Sequence, residues 1–85
     1  MKFKIAYKKS VSKDLSSLPK ATVEQILSSI KRLATNPTPQ GYKKLKGESG
    51  LYRIRVGTYR VIYEVHKEEI TIFIIKIGHR KNVYR

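Results

Sequence analysis

Three arginines fall close together in the segment Leu51-Tyr52-Arg53-Ile54-Arg55-Val56-Gly57-Thr58-Tyr59-Arg60-Val61-Ile62-Tyr63. Arginine is the side chain best suited to bidentate contacts with phosphate. Gly57-Thr58 reads as a two-residue hairpin loop beginning with Gly, as a type II′ turn demands. That loop pairs Val56 with Tyr59, Arg55 with Arg60, Ile54 with Val61, and Tyr52 with Tyr63. Strand alternation then places Tyr52, Ile54, Val56, Tyr59, Val61 and Tyr63 on one face and Arg53, Arg55 and Arg60 on the other. Like charges directly opposite across strands are destabilising. Three arginines on one patch therefore point to an anion. The plainer alternative is a basic sheet face with no specific ligand.

A second turn at Lys67-Glu68 would set Ile62 against Phe73 and bring Arg60 beside Ile75. The arginines would then stand on a partly apolar floor, which suits a binding groove better than a solvated face. Other chemistries find less support. There is no Cys, there are two His, and Glu68 and Glu69 are adjacent turn residues among only six carboxylates, a poor set for a metal. A Ser–His–Asp triad would have to use Asp14, the one Asp, and no nucleophile elbow is present. Gly47, Gly50, Gly57 and Gly78 read as turn glycines and form no phosphate loop. His66 falls by a turn. His79, just after the last strand, reads either as an accessory substrate contact or as a bystander.

The whole chain is basic. Its 85 residues hold 19 Lys or Arg against 6 Asp or Glu, a net charge of +13. The excess is spread along the chain: 8 basic groups against 2 acidic over 1–33, 3 against 1 over 34–50, and 8 against 3 over 51–85. This is a coated surface and not a basic tail, and its natural partner is a polyanion. A membrane surface would ask for a basic amphipathic helix with bulky apolar anchors. The densest arginine cluster lies instead in a strand, which favours nucleic acid. The length suits one domain, 1–85, with a small core. The N-terminus lacks a signal-peptide apolar run and no stretch is long enough to span a bilayer, so a cytoplasmic location without membrane contact is expected.

The elements that must carry the arginines follow from periodicity. Lys2 to Tyr7 alternates as a strand. Ser10 is placed to cap a short helix bearing Val11, Leu15 and Leu18, which Pro19 ends. A second helix runs from Pro19 or Lys20 to about Thr35. Thr22 and Gln25 have capping-box spacing, and Val23, Ile26, Leu27, Ile30 and Leu33 form the buried stripe. Residues 36–41, with two Pro and a Gly, are a loop. Tyr42 to Lys46 reads as an edge strand blunted by lysines, and Gly47 to Gly50 as a turn. Leu51–Val56, Tyr59–His66 and Glu69–Ile77 are strands, and Gly78 ends the last before a polar tail. The expected architecture is α+β: two N-terminal helices on one face of a small, mostly antiparallel sheet, in the order β-α-α-β-β-β.

The segment from Leu51 to Glu64 resembles the central hairpin of the RelE/ParE toxin superfamily. Lys44-Leu45-Lys46-Gly47 before it and Gly78-His79-Arg80-Lys81-Asn82-Val83-Tyr84-Arg85 after it also fit. The order of elements matches along essentially the whole chain. The resemblance implies a toxin of a type II toxin–antitoxin system. RelE-type members cut mRNA in the ribosomal A site, whereas ParE-type members poison DNA gyrase and generally lack the RelE active-site set. That set is matched here by Arg53 and Arg55 before the hairpin turn, Arg60 after it, then Arg80 and Tyr84. Lys44, Lys46, His79 and Lys81 are the candidate substrate contacts around that set. The implied partners are an acidic RelB-like antitoxin, in a toxin–antitoxin hetero-oligomer, and the ribosome with its mRNA and small-subunit RNA. Ile62, Phe73 and Ile75 are the expected exposed anchors for the antitoxin. No metal or other cofactor is expected. A gyrase poison, or a basic RNA- or DNA-binding module without chemistry, are the competing readings.

Overall fold

The computed structural model describes residues 2–45 and 50–79. In chain order it contains β1 (Lys4–Tyr7), α1 (Lys9–Ser16), α2 (Lys20–Leu33), β2 (Lys43–Lys44), β3 (Leu51–Val56), β4 (Tyr59–His66) and β5 (Thr71–His79). The hairpin has the register that its turn dictates: Val56 opposite Tyr59, Arg55 opposite Arg60, Ile54 opposite Val61 and Tyr52 opposite Tyr63. Gly57 holds φ at +61°, as the first loop position of a type II′ turn requires, while Thr58 keeps an ordinary φ.

Around this hairpin the strands assemble in the order β1-β5-β4-β3-β2. All pairs are antiparallel except β1 with β5. The parallel pair is possible because both helices lie in the crossover between those strands. The core joins Val11, Ile26, Ile30 and Leu33 of the helices to Ile54, Val56, Val61, Tyr63, Ile72, Ile74 and Ile77 of the sheet. The fold is thus the expected α+β arrangement, with β2 as a fifth, two-residue strand.

Local details depart from the sequence reading. The two helices begin without side-chain caps, at Lys8 and Pro19; Ser10 and Thr22 lie inside their first turns. Leu27, expected in the buried stripe, is exposed, because Ile26, Ile30 and Leu33 alone centre the face. The edge strand is only Lys43–Lys44, and β1 begins at Lys4. Gly78 sits within β5 and does not end it.

The largest departure is between β4 and β5. The turn is four residues long, Lys67 to Ile70, with Ile70 in the left-handed region at φ 51°. Its carbonyl accepts the Lys4 N–H at 2.8 Å, so β1 helps hold that conformation. His66 then pairs with Thr71, and the register slips again between Ile62 and Tyr63. Tyr63 opposes Ile74 but Ile62 opposes Lys76, so Ile75 is an extra, bulged residue on β5. The expected pairs Ile62 with Phe73 and Arg60 with Ile75 are replaced by Ile62 with Lys76 and Arg60 with Gly78. A strictly alternating β5 would have driven Lys76 into the core beneath the helices; the bulge seats Ile77 there instead, 3% exposed.

Asp14 fastens this bulged stretch. Strand β1 covers β5 only from Thr71 to Ile74. Beyond it, Asp14 Oδ2 on α1 accepts the Ile77 N–H at 3.2 Å. Asp14→Ala is expected to cost about 1–3 kcal/mol, the range for losing a charged acceptor from a partly buried amide. Asp14→Asn, which keeps an acceptor, should cost less. Thermal melts compare the two, and faster hydrogen exchange at the Ile77 amide locates the effect.

Candidate phosphate-binding face and cleft

The sheet face turned away from the helices carries the arginines. Arg55 and Arg60 are direct cross-strand partners. Such pairs have Cβ atoms about 4.5–5.5 Å apart, close enough for two guanidinium groups to share one phosphate. Arg53 lies on the same face between Lys43 of β2 and Ile62 of β4. It is 8% exposed, while Arg55 is exposed and Arg60 half-buried. The Nε atoms of Arg53 and Arg60 are both shielded from solvent. Shielding lowers the local dielectric and strengthens attraction for an arriving anion.

Next to this face, at the edge of β3, is a cleft of ≈ 420 Å³. Among the described residues the register of β2 with β3 covers only Arg53 and Tyr52, so on the side away from β4 no strand lies beside Arg55. Arg32 of α2, Lys43, Arg53 and Arg55 line the cleft, with Ser29 and Gln40 as further polar groups. Among the described residues no carboxylate pairs with Arg32, Lys43 or Arg55. The loop that forms the outer wall, at Pro39, Gln40 and Gly41, is pinned from beneath. The Tyr63 hydroxyl donates to the Pro37 carbonyl at 2.6 Å. The Tyr63 ring stacks on Tyr52 at 5.8 Å, and Tyr52 meets Tyr42 at 5.9 Å. Burial, helped by the neighbouring Tyr52 and Tyr42, pushes the Tyr63 phenol well above its ordinary value of 10. It therefore remains a hydrogen-bond donor at any physiological pH.

Arg53, Arg55 and Arg60 are thus brought together on one face. Arg80 and Tyr84, and the substrate-contact candidates Lys46 and Lys81, lie outside the described residues. Lys44 opposes Tyr52 and so turns toward the helix side. Lys43, which alternation places beside Arg53, and Arg32 are the basic residues of the cleft that sequence reasoning missed. The proline-bearing loop hides the register of β2, and Arg32 reads from sequence only as a cation suited to a helix C-terminus. His79 opposes Tyr59 and packs edge-on against its ring at 5.7 Å, on the opposite side of the sheet from Arg60.

Of the three expected exposed anchors, Ile62 needs correction, being only 6% exposed. It sits in the central strand between Arg53 and Lys76, whose long methylene stems are of the kind that cover apolar surface. Phe73 and Ile75 are partly exposed. Among the described residues no three His, Cys, Asp or Glu side chains gather to hold a metal, and no helix is long and apolar enough to cross a membrane.

Known proteins share this fold. Residues 5–84 match the family of ParE toxins of type II toxin–antitoxin systems. The chain is 39% identical to the RelE1 protein of Methanocaldococcus jannaschii, over 100% of this chain and 98% of that one. It superposes with a TM-score of 0.84 and 37% identity on RelE in the archaeal RelE–RelB complex of Pyrococcus horikoshii, covering 96% and 99% of the two chains. A chain of the Mycobacterium tuberculosis toxin–antitoxin complex RelBE2 superposes with a TM-score of 0.82 at 26% identity, covering 94% and 100%.

Proposed function

Because the chain belongs to the RelE/ParE family of toxins of type II toxin–antitoxin systems, we propose that it is an endoribonuclease that cuts mRNA in the ribosomal A site and so stops translation. The observation that carries this reading is the cross-strand pair Arg55–Arg60 with Arg53 on the same face. Folding sets like charges directly opposite each other there, and a phosphate held between Arg55 and Arg60 would relieve their repulsion.

The reaction needs little more than positioning, since RNA brings its own nucleophile. The 2′-oxygen bonds to the adjacent phosphorus and the bond from phosphorus to the 5′-oxygen breaks. A 2′,3′-cyclic phosphate and a 5′-hydroxyl result. Arg53, Arg55 and Arg60 grip the phosphate and stabilise the charge that grows on its oxygens in the transition state. One proton leaves the 2′-hydroxyl and one reaches the 5′-oxygen. In this reading Arg80, which matches the family set, stabilises that leaving oxygen. A guanidinium, with an ordinary pKa above ~12, is better suited to charge stabilisation than to proton donation. In the same reading Tyr84 either stacks on a nucleobase or, as general base, accepts the proton of the 2′-hydroxyl. Weak acid–base groups suit an enzyme whose substrate the ribosome has already aligned. Such an enzyme works in the cytoplasm.

Its partner is an acidic, RelB-like antitoxin; the archaeal structure that it resembles is a RelE–RelB complex. A net charge of +13 favours fast association with an acidic chain, and the partly exposed Phe73 and Ile75 of β5 offer apolar anchors. The description of the matching family as ParE favours a second reading, gyrase poisoning. Translating ribosomes and supercoiled DNA with gyrase, each given the purified protein, separate the two. Primer extension should reveal cuts within A-site codons. Intact message together with trapped gyrase–DNA complexes would select the second reading.

A further inference from the structure

We infer that Lys76 is a further substrate-contacting residue, holding an RNA phosphate beside the arginines. The inference rests on the proposal that this face binds RNA. The bulge at Ile75 turns Lys76 onto the arginine face, opposite Ile62, where it is exposed. Arg60 opposes Gly78, two residues further along the same strand. Lys76 and Arg60 are therefore diagonal neighbours, a relation that sets such positions about 7–8 Å apart. Gly78 bears no side chain, so bare backbone lies next to Arg60, the kind of place where a ligand can approach a sheet closely. One phosphate above Gly78 falls within reach of Arg60 from β4 and of the flexible Lys76 ammonium from β5.

Keeping lysine out of the core would explain why the bulge exists, but not why a cation stands there. An anion held there would offset the charge that Lys76 adds to this basic face. The carboxylate on this face nearest to Lys76 along β4, Glu64, is engaged by His66 at 2.7 Å. Among the described residues no carboxylate pairs with Lys76.

The test uses ribosomes programmed with a message that carries a 2′-deoxy nucleotide at the cleavage position, so that binding is measured without turnover. Lys76→Gln, Lys76→Arg and Arg55→Thr are titrated across a salt series, with thermal melts alongside. Lys76→Gln should bind several-fold more weakly and reduce the slope of log affinity against log salt by about 0.7, the value for one contact to single-stranded nucleic acid. Lys76→Arg should restore both and melt like the parent, and Lys76→Gln should melt at the parental temperature or somewhat above it. Lys76→Gln with parental affinity and slope, while Arg55→Thr loses both, overturns the role of Lys76 and leaves the RNA reading standing. Parental binding by both variants overturns the RNA reading and this inference with it. Loss in Lys76→Gln that Lys76→Arg does not rescue, with a lowered melting temperature, also overturns it in favour of a structural role.

Discussion

Arg55→Thr is expected to lose message cleavage by about 10²–10³-fold, the range for removing one preorganised donor to transition-state charge. The same variant should melt at the parental temperature or somewhat above it. Arg55 is exposed, directly opposes Arg60, and has no carboxylate partner among the described residues. Its replacement removes a like-charge cross-strand pair of about 0.2–1 kcal/mol and introduces a good strand former. In a domain of this size that corresponds to a rise of one to several degrees. Opposite signs for activity and stability are the mark of a residue kept for function at some cost to the fold. A structural residue would lose both together. Single-turnover cleavage on programmed ribosomes, with calorimetry on the free protein, reads the two effects.

Tyr63→Ala is expected to be the most damaging single truncation. Tyr63 is fully buried, and its ring packs in the core beside Tyr52. Truncating a buried aromatic costs about 3–5 kcal/mol, against a total stability on the order of 5–10 kcal/mol for a domain of this length. Tyr63→Phe isolates the hydroxyl. It keeps the ring and leaves the Pro37 carbonyl without the Tyr63 hydroxyl donor. The expected loss is about 1 kcal/mol. That bond holds the loop that walls the cleft, so Tyr63→Phe should also weaken message binding although Tyr63 touches no substrate. Urea unfolding separates the variants: a large drop in midpoint for Ala, a small one for Phe, and an unchanged slope in both.

What could be read from sequence depended on how locally each feature is specified. The Arg55–Arg60 pair was legible because Gly57-Thr58 fixes the register of its own hairpin within a few residues. The stripe of Ile26, Ile30 and Leu33 was legible from helical period alone. The β4–β5 register was not. A four-residue turn with Ile70 at positive φ carries no Gly or Asn signal, and the bulge at Ile75 answers to core demands from Ile74 and Ile77. Lys76 was therefore invisible as a neighbour of the arginines. Lys43 and Arg32 were missed for a different reason: one follows a loop whose path Pro37 and Pro39 leave open, and the other enters the cleft only through packing of α2 against β3. Arg80 and Tyr84 rest on the family pattern.

The central claim is that the arginine face aligns a message for attack by its own 2′-hydroxyl. Replacing that one hydroxyl by hydrogen, at the nucleotide 5′ to the cut in a ribosome-bound message, tests it most directly. The expected result is no cleavage at that position with toxin binding retained, and a 2′,3′-cyclic phosphate on the upstream product of the unmodified message. Cleavage of the deoxy-substituted message at an undiminished rate, leaving a 5′-phosphate downstream, would contradict the account.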